Sequence, residues 1–197
     1  MKRLLLICIT TLLAACSSVP TITGIQSTVP VSVETSAFEL QGRLGVKHEK
    51  GGQHGNVSWR HLPASDDVEM RSPLGSIVAK LQVNAQGASI DFGDGHIQHA
   101  STIESLSKEL LGWELPLTGL RYWVLAQPIP DAPSQSQKDS QGRIIQLNQN
   151  GWVIVYTNYP DNNSLPGKII MRRKLLEIRL VVDTWSISNA ELSSTRF

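Results

Sequence analysis

The stretch FELQGRLGV at residues 38–46 decides the fold, because its apolar side chains recur at every second position. Strict alternation of apolar and polar residues is the pattern of a β-strand that buries one face and exposes the other. The polar positions between them include Glu39, Gln41 and Arg43. The apolar face of this predicted strand carries Phe38, Leu40, Gly42, Leu44 and Val46.

The same period of two returns further along the chain, separated by short polar segments. Asp66 and Asp67 are read as part of a turn, and Gly93-Asp94-Gly95 predicts another turn. Strands with one apolar face and short connections are typical of an antiparallel sheet. The alternating apolar positions are Val57 and Trp59, then Ile77, Ala79, Leu81 and Val83, then Ile90 and Phe92.

The period changes to a helical one at Ser101, where the residues STIE at 101–104 form a capping box. Apolar residues follow at helical spacing, and Gly112 predicts the end of this helix. Pro116 predicts the start of a second, shorter helix. Residues 127–142 hold three prolines and are predicted to be a loop.

Strands resume near Arg143. Asn150-Gly151 lies between two apolar runs and is a strong hairpin signal. Residues 169–172 and 175–182 predict a further pair of strands. The order of sheet, helical insertion and sheet predicts an antiparallel sheet curled around an apolar interior, with the helices closing one opening.

The N-terminus has the pattern of a lipoprotein signal. Lys2 and Arg3 precede an apolar run of about ten residues, which is too short for a permanent membrane span. The box Leu13-Ala14-Ala15-Cys16 predicts cleavage before Cys16 and lipidation of its thiol. Ser17, rather than Asp, favours the outer over the inner membrane. The expected organisation is a signal peptide at 1–15, the lipidated Cys and a flexible tether at 16–36, one domain at 37–186, and a C-terminal tail at 187–197.

The composition disfavours several classes of function. Removing Lys2 and Arg3 from the 18 basic residues leaves 16 against 17 acidic ones, which argues against nucleic acid as a partner. The spacing of the five histidines predicts no metal site, and the chain has no nucleophile elbow or phosphate loop. We therefore expect neither an enzyme nor a cofactor.

An ordered series of motifs resembles the LolB family, the outer-membrane receptors for lipoproteins. The most distinctive part is GWELP at 112–116 followed by LRYWVL at 120–125. The resemblance covers about Phe38 to Trp185. The other members of the series are GRLGV at 42–46, Trp59, SPLG at 72–75, and GWVIVY at 151–156.

The resemblance implies an incomplete antiparallel β-barrel with a helical lid over a hydrophobic cavity. It also implies a monomer that accepts acylated lipoprotein cargo from a LolA-like periplasmic carrier and inserts it into outer-membrane lipid. Arg43 is expected either to contact the lid or to point to solvent, and Leu74 to insert into the membrane from an exposed turn. The expected cavity-lining residues are Leu44, Trp59, Met70, Ile77, Leu81, Leu106, Leu110, Trp113, Leu117, Trp123, Trp152 and Ile154.

Two other functions remain open at this point. The chain could be an envelope lipoprotein that binds a different amphiphile, such as a glycolipid, or a structural lipoprotein that scaffolds an envelope complex. A packed barrel without a cavity would favour the scaffold, whereas a lidded apolar cavity would favour a lipid-binding function.

Overall fold

The computed structural model describes residues 36–160 and 165–189. All described strands belong to one antiparallel sheet of eleven strands. The strands in the first half are β1 (Ser36–His48), β2 (Gly51–Leu62), β3 (Ser65–Arg71), β4 (Ile77–Asn84), β5 (Gly87–Asp91) and β6 (Ile97–Ala100). After helices α1 (Ile103–Leu111) and α2 (Leu117–Trp123) come β7 (Ser134–Lys138), β8 (Ile144–Gln149), β9 (Trp152–Thr157), β10 (Lys168–Arg173) and β11 (Leu176–Asn189).

The sheet is open. Its strand order is β6-β5-β4-β3-β2-β1-β11-β10-β9-β8-β7, so β6 and β7 are the two edges and do not pair with each other. The fold class predicted from the sequence, an incomplete antiparallel barrel with two helices, is confirmed. The helical insertion lies between these edge strands in the chain.

Strands β1 and β11 join the two halves of the sheet along their whole lengths, from Ser36 opposite Asn189 to Lys47 opposite Glu177. Their register shifts between Gln41 and Gly42. A Cβ atom at Gly42 would lie 2.1 Å from the carbonyl oxygen of Val181, so only glycine fits this close approach. This close approach explains why a glycine stands at position 42, among the apolar positions of the pattern at 38–46.

The hairpin signal at Asn150-Gly151 is confirmed. Both residues have positive φ, 51° and 76°, as the two central residues of a type I′ turn require. The end of α1 at Gly112 is also as expected, with φ 78° and its N–H donating to the carbonyl of Lys108. The helix N-cap, however, is Thr102 and not Ser101, since the Thr102 hydroxyl accepts from the N–H of Ser105.

Three sequence predictions about element boundaries are wrong. Asp66 and Asp67 lie inside β3 rather than in a turn, and β7 occupies part of the predicted loop at 127–142. Strand β11 continues to Asn189, past the predicted strand end at residue 182. The signal peptide, Cys16, the tether up to residue 35 and the tail from residue 190 lie outside the described residues.

Candidate functional site

The inner face of the sheet and the two helices enclose an apolar cavity of about 280 Å³. Of the 24 residues that line it, 22 are apolar, and the two polar ones are His48 and Gln53. The sheet supplies one wall through alternate residues of β1 to β5, β10 and β11. The end of α1, the connection to α2 and the first turns of α2 supply the opposite wall.

The structure brings seven of the twelve predicted lining residues to this cavity. They come from both the sheet and the helices, which are distant in sequence and meet only in the folded chain. These seven are Leu44, Trp59, Met70, Leu81, Leu110, Trp113 and Leu117.

The other five predicted lining residues lie elsewhere. Trp123 and Trp152 are fully buried against each other, with ring centroids 5.8 Å apart, and Ile154 is completely buried. These three fill the half of the interior formed by β8 and β9, which is packed core rather than cavity. Leu106 is buried within the core cluster, and Ile77 is half-buried outside the cavity, where the register of β3 and β4 shifts at Arg71.

Several lining residues were missed by sequence reasoning, and most carry the same alternating signal as those that were found. The strands β10 and β11 contribute Met171, Ile178 and Leu180. In the sequence, these positions look like ordinary strand core. Only the tertiary structure shows that they face the cavity and not the packed half of the interior. Val78 and Phe92 also line the cavity and are partly exposed, so they mark its mouth.

The helices that cover the cavity are tied to each other by polar contacts. Ser107 Oγ accepts from the N–H of Leu115 at 2.8 Å, and Glu104 Oε1 accepts from both the N–H and the hydroxyl of Thr118. On the surface, Lys108 donates to Glu114 at 3.0 Å, and this hydrogen bond lowers the pKa of the Glu114 carboxyl. The two helices and their connection therefore form one unit, called here the lid.

The lid is attached to the sheet by a buried cluster around Asp66 on β3, here called the Asp66 cluster. One carboxylate oxygen accepts from Trp59 Nε1 at 2.9 Å and lies 2.8 Å from His61 Nδ1. The other accepts from Nε of Arg121 on α2 at 2.8 Å and also contacts Nη2 of the same guanidinium. Phe38 packs on the His61 ring.

The partners of Asp66 explain how the fold tolerates a buried charge at this position. Its side chain has no exposed area, and a buried carboxylate without partners would be costly. Arg121 supplies the opposite charge from the lid. The sequence interpretation missed this cluster because a pair of aspartates after Pro63-Ala64-Ser65 resembles a turn. The only sequence signal for the cluster is that Asp66, Val68 and Met70 are two positions apart, so that all three side chains lie on the same face of a strand.

The family model described as outer membrane lipoprotein LolB matches residues 36–185. The chain belongs to the LolB family. An outer-membrane lipoprotein LolB from Thiobacillus denitrificans is 36% identical over 160 residues, covering 81% of this chain and 85% of the relative. Another from Nitrosomonas europaea is 34% identical over 157 residues, covering 78% and 74%.

The expected class, an outer-membrane lipoprotein, is confirmed by the family match and these relatives. Among solved structures, a LolA superfamily protein from Nitrosomonas europaea aligns with a TM-score of 0.47 at 8% identity, covering 78% of this chain and 86% of that one. Neither helix of the described part of this LolB-family chain has the length and hydropathy to cross a membrane. Within the same described residues, no three His, Cys, Asp or Glu side chains gather as a possible metal site.

One predicted site residue of the LolB-family chain requires correction. Arg43 does not contact the lid: it lies on the outer face of β1 and pairs with Asp183 on β11 at 3.1 Å. Both side chains are more than half exposed. The alternation at 38–46 assigns Arg43 to the face opposite Leu44, so the outward alternative is correct. The arginine that holds the lid is Arg121.

Leu74 lies where the sequence places it, at the tip of the turn between β3 and β4, and 96% of its surface is exposed. The turn is well braced. The N–H of Gly75 donates to the carbonyl of Ser72 at 2.9 Å, and the N–H of Ser72 donates to the carbonyl of Ser76 at 2.8 Å. These bonds hold the leucine away from the body of the protein, where it contributes nothing to the core.

Proposed function

We propose that this outer-membrane lipoprotein receives acylated lipoproteins from a LolA-like periplasmic carrier and inserts them into the outer membrane, acting as a monomer. The observation that carries the proposal is the cavity: 22 of its 24 lining residues are apolar, and a helical lid covers it. A pocket of this composition suits an acyl chain, which offers no hydrogen-bonding groups.

The energetics of acyl chains explain why such a cavity is needed. Each methylene group buried from water contributes about 0.8 kcal/mol, so one 16-carbon chain favours an apolar environment by roughly 12 kcal/mol. A lipoprotein with several chains cannot cross an aqueous compartment unprotected. The receptor therefore has to exclude water from the chains during transfer, and an open barrel with a lid provides that surface.

The lid has to move for cargo to enter. The cavity of about 280 Å³ lies just below the ~300–1,000 Å³ usual for ligand pockets, so it does not hold several acyl chains as it stands. The connection between the helices, which contributes Trp113 and Leu115 to the lining, is the roof of the cavity. Displacing it enlarges the apolar surface without disturbing the sheet.

Leu74 supplies the contact with the target membrane in this proposal. Burying one leucine side chain contributes about 1.5–3 kcal/mol. That is too little to anchor the protein, but it is enough to orient a tethered domain towards the bilayer when cargo is released. The exposed, braced position of Leu74 supports this role.

Filling the cavity tests the proposal. Ala79 lines the cavity and is buried, so Ala79→Phe places a ring where the acyl chain would lie. Ala85 is exposed in the turn between β4 and β5, so Ala85→Phe is a matched control that adds the same group outside. We expect Ala79→Phe to lower saturable uptake of acylated lipoprotein from a loaded LolA-like carrier at least tenfold, and Ala85→Phe to leave uptake unchanged. Circular dichroism checks that both variants fold.

Equal uptake by the two folded variants would overturn the cavity as the binding site. Competition separates the remaining alternatives: a glycolipid that displaces a bound fatty-acid probe, where acylated protein fails to do so, would favour a receptor for another amphiphile. Absence of any saturable lipid binding by the wild type would favour the scaffold.

The membrane step has its own test. Leu74→Glu places a charge at the turn tip, and since this side chain is exposed, folding and uptake should not change. Transfer of bound lipoprotein into liposomes should become slower. The control is Leu62→Glu, which changes a partly exposed leucine in the turn region between β2 and β3, at the other end of the strands. Wild-type transfer rates for Leu74→Glu would exclude the membrane role.

A further inference from the structure

Exposed apolar side chains are concentrated at one end of the sheet. Because neighbouring strands are antiparallel, the turns after β1, β3, β5, β8 and β10 lie together at this end, here called the Leu74 end. Of the eight large hydrophobic side chains exposed among the described residues, six lie here, whereas Leu62 and Ile145 lie towards the other end. The six are Leu74, Val78, Phe92, Ile97, Val153 and Leu175.

Leu175 is a second leucine on a turn tip at this end. It lies between β10 and β11, directly after Lys174, which has φ 54°, and 69% of its surface is exposed. Like Leu74, it is held outward by a tight hairpin, since Arg173 pairs with Leu176 across the turn. A leucine on a solvent-exposed turn buries little area in the fold, so its burial energy is available to a partner surface.

The mouth of the cavity opens at the same end. Val78 and Phe92 line the cavity and are also partly exposed. Val78 is the second residue of β4 and Phe92 directly follows β5, so both lie at the Leu74 end. The two polar lining residues, His48 and Gln53, also lie towards this end, on β1 and β2 next to the turn that joins them. An apolar path therefore runs from the cavity over Val78 and Phe92 to the outside, beside the turn that carries Leu74.

The charges at this end suit an anionic surface. Lys47 and Lys50 at the β1–β2 turn, and Arg173 and Lys174 at the β10–β11 turn, are all exposed, and β1 and β11 are paired neighbours. Glu49 lies among them, and the Glu114 carboxyl is near enough to Arg173 and Lys174 for their charges to lower its pKa. Asp91 and Asp94 lie at the β5–β6 turn of the same end. Phosphate groups at a membrane surface attract such clustered basic side chains. The basic residues flank Leu175 in the way that interfacial cations flank an inserted apolar residue.

The length of chain before β1 allows this end to reach a membrane. Strand β1 starts at the opposite end and runs 13 residues, about 40 Å, to the Leu74 end. With the anchor at Cys16, residues 16–35 reach at most about 65 Å. The domain can therefore turn its Leu74 end towards the bilayer that holds its own anchor.

We propose that the whole Leu74 end is the membrane-facing surface of the domain, with Leu175 inserting into the bilayer as a second leucine at the same end as Leu74. The two leucines then place the cavity mouth against lipid, so that acyl chains pass over Val78 and Phe92 into the bilayer without meeting water. This inference rests on the proposed function for its purpose, but the orientation can be measured without cargo or carrier.

Fluorescence can measure the orientation directly. The sequence has cysteines only at positions 8 and 16, so one engineered cysteine in the mature lipidated chain carries one probe. Leu74→Cys, Leu175→Cys and Leu62→Cys are labelled with an environment-sensitive dye. The proteins are reconstituted in vesicles of phosphatidylethanolamine with a minority of phosphatidylglycerol. We expect a blue shift and quenching by brominated lipid at positions 74 and 175, and an aqueous spectrum at position 62.

A probe that stays in water at position 175, or equal quenching at positions 62 and 175, would overturn the orientation. A second arm measures delivery of carrier-borne lipoprotein to the same vesicles. Leu175→Glu should slow delivery about tenfold, as expected from losing the burial of one leucine, while Leu62→Glu should not change it. Unchanged delivery by Leu175→Glu would also count against the inference. If the wild type delivers no cargo, the proposed function fails, and the fluorescence arm still decides the orientation.

Discussion

Asp66→Asn is the substitution that most directly tests how the lid is held on the sheet. It preserves the shape of the side chain but removes the charge that faces Arg121, and it presents an amide group to a guanidinium that can only donate. Breaking one partner of a buried ion pair costs about 3–5 kcal/mol. The Asp66 side chain is fully buried, but 26% of the Arg121 side chain is exposed, so solvent compensates part of the loss. We therefore expect the free energy of unfolding to fall by about 3 kcal/mol.

The control is Asp183→Asn, which breaks the pair with Arg43 on the outer face. Those side chains are 52% and 64% exposed, and exposed pairs of this kind contribute about 0–1 kcal/mol. Urea unfolding followed by tryptophan fluorescence measures both variants. For a domain of this size, the loss at Asp66 corresponds to a decrease in Tm of roughly 6–12 °C.

A double-mutant cycle with Arg121→Gln isolates the pair from the other partners of Asp66. The two single variants should each be destabilised, and the double variant should lose less than the sum of the two. If Asp66→Asn costs no more than Asp183→Asn, the Asp66 cluster does not hold the lid. The attachment must then come from apolar packing and from Trp123 Nε1 on α2, which donates to Gln149 Oε1 on β8 at 3.0 Å.

Three further outcomes follow from the structure. Gly42→Ala forces a methyl group against the carbonyl of Val181 and should lower the free energy of unfolding by about 2–3 kcal/mol in urea titrations, whereas Gly45→Ala, with open space around it, should cost far less. Burial raises the pKa of Tyr159 to about 12. The unfolded phenol titrates near pH 10, so stability present below pH 10 should be lost as pH rises from 10 to 12, and Tyr159→Phe should reduce that loss in urea midpoints. Metabolic labelling with a fatty-acid probe should mark the wild type but not Cys16→Ala, and labelling that survives would exclude Cys16 as the lipidation site.

Much of the fold was predictable because local signals agreed with the tertiary structure. The period of two at 38–46 is a strand whose inner face is the one the pattern identifies. Asn150-Gly151 forms the expected hairpin, since positive φ at two consecutive residues is a local requirement. The same holds for the end of α1 at Gly112 and for the exposure of Leu74, which both depend on a few neighbouring residues.

The candidate site was predictable only in part, for a physical reason. Alternation tells which face of a strand is inward, but it does not tell whether that face meets other side chains or empty space. Leu81 and Ile154 have the same sequence signal, yet one lines the cavity and the other lies in packed core, because Trp123 and Trp152 fill only the half of the sheet near β8 and β9.

By itself, the sequence determined the properties that depend on neighbouring residues: an apolar face on each strand, most of the turns, and the two helices between two runs of strands. It also predicts a lipoprotein signal at the N-terminus. Only the tertiary structure decided which arginine holds the lid, since Arg121 and Asp66 are 55 positions apart and a buried ion pair leaves no local pattern. It also decided where the cavity opens. That depends on which turns the antiparallel order brings to one end of the sheet, a long-range property to which no single segment of the chain contributes alone.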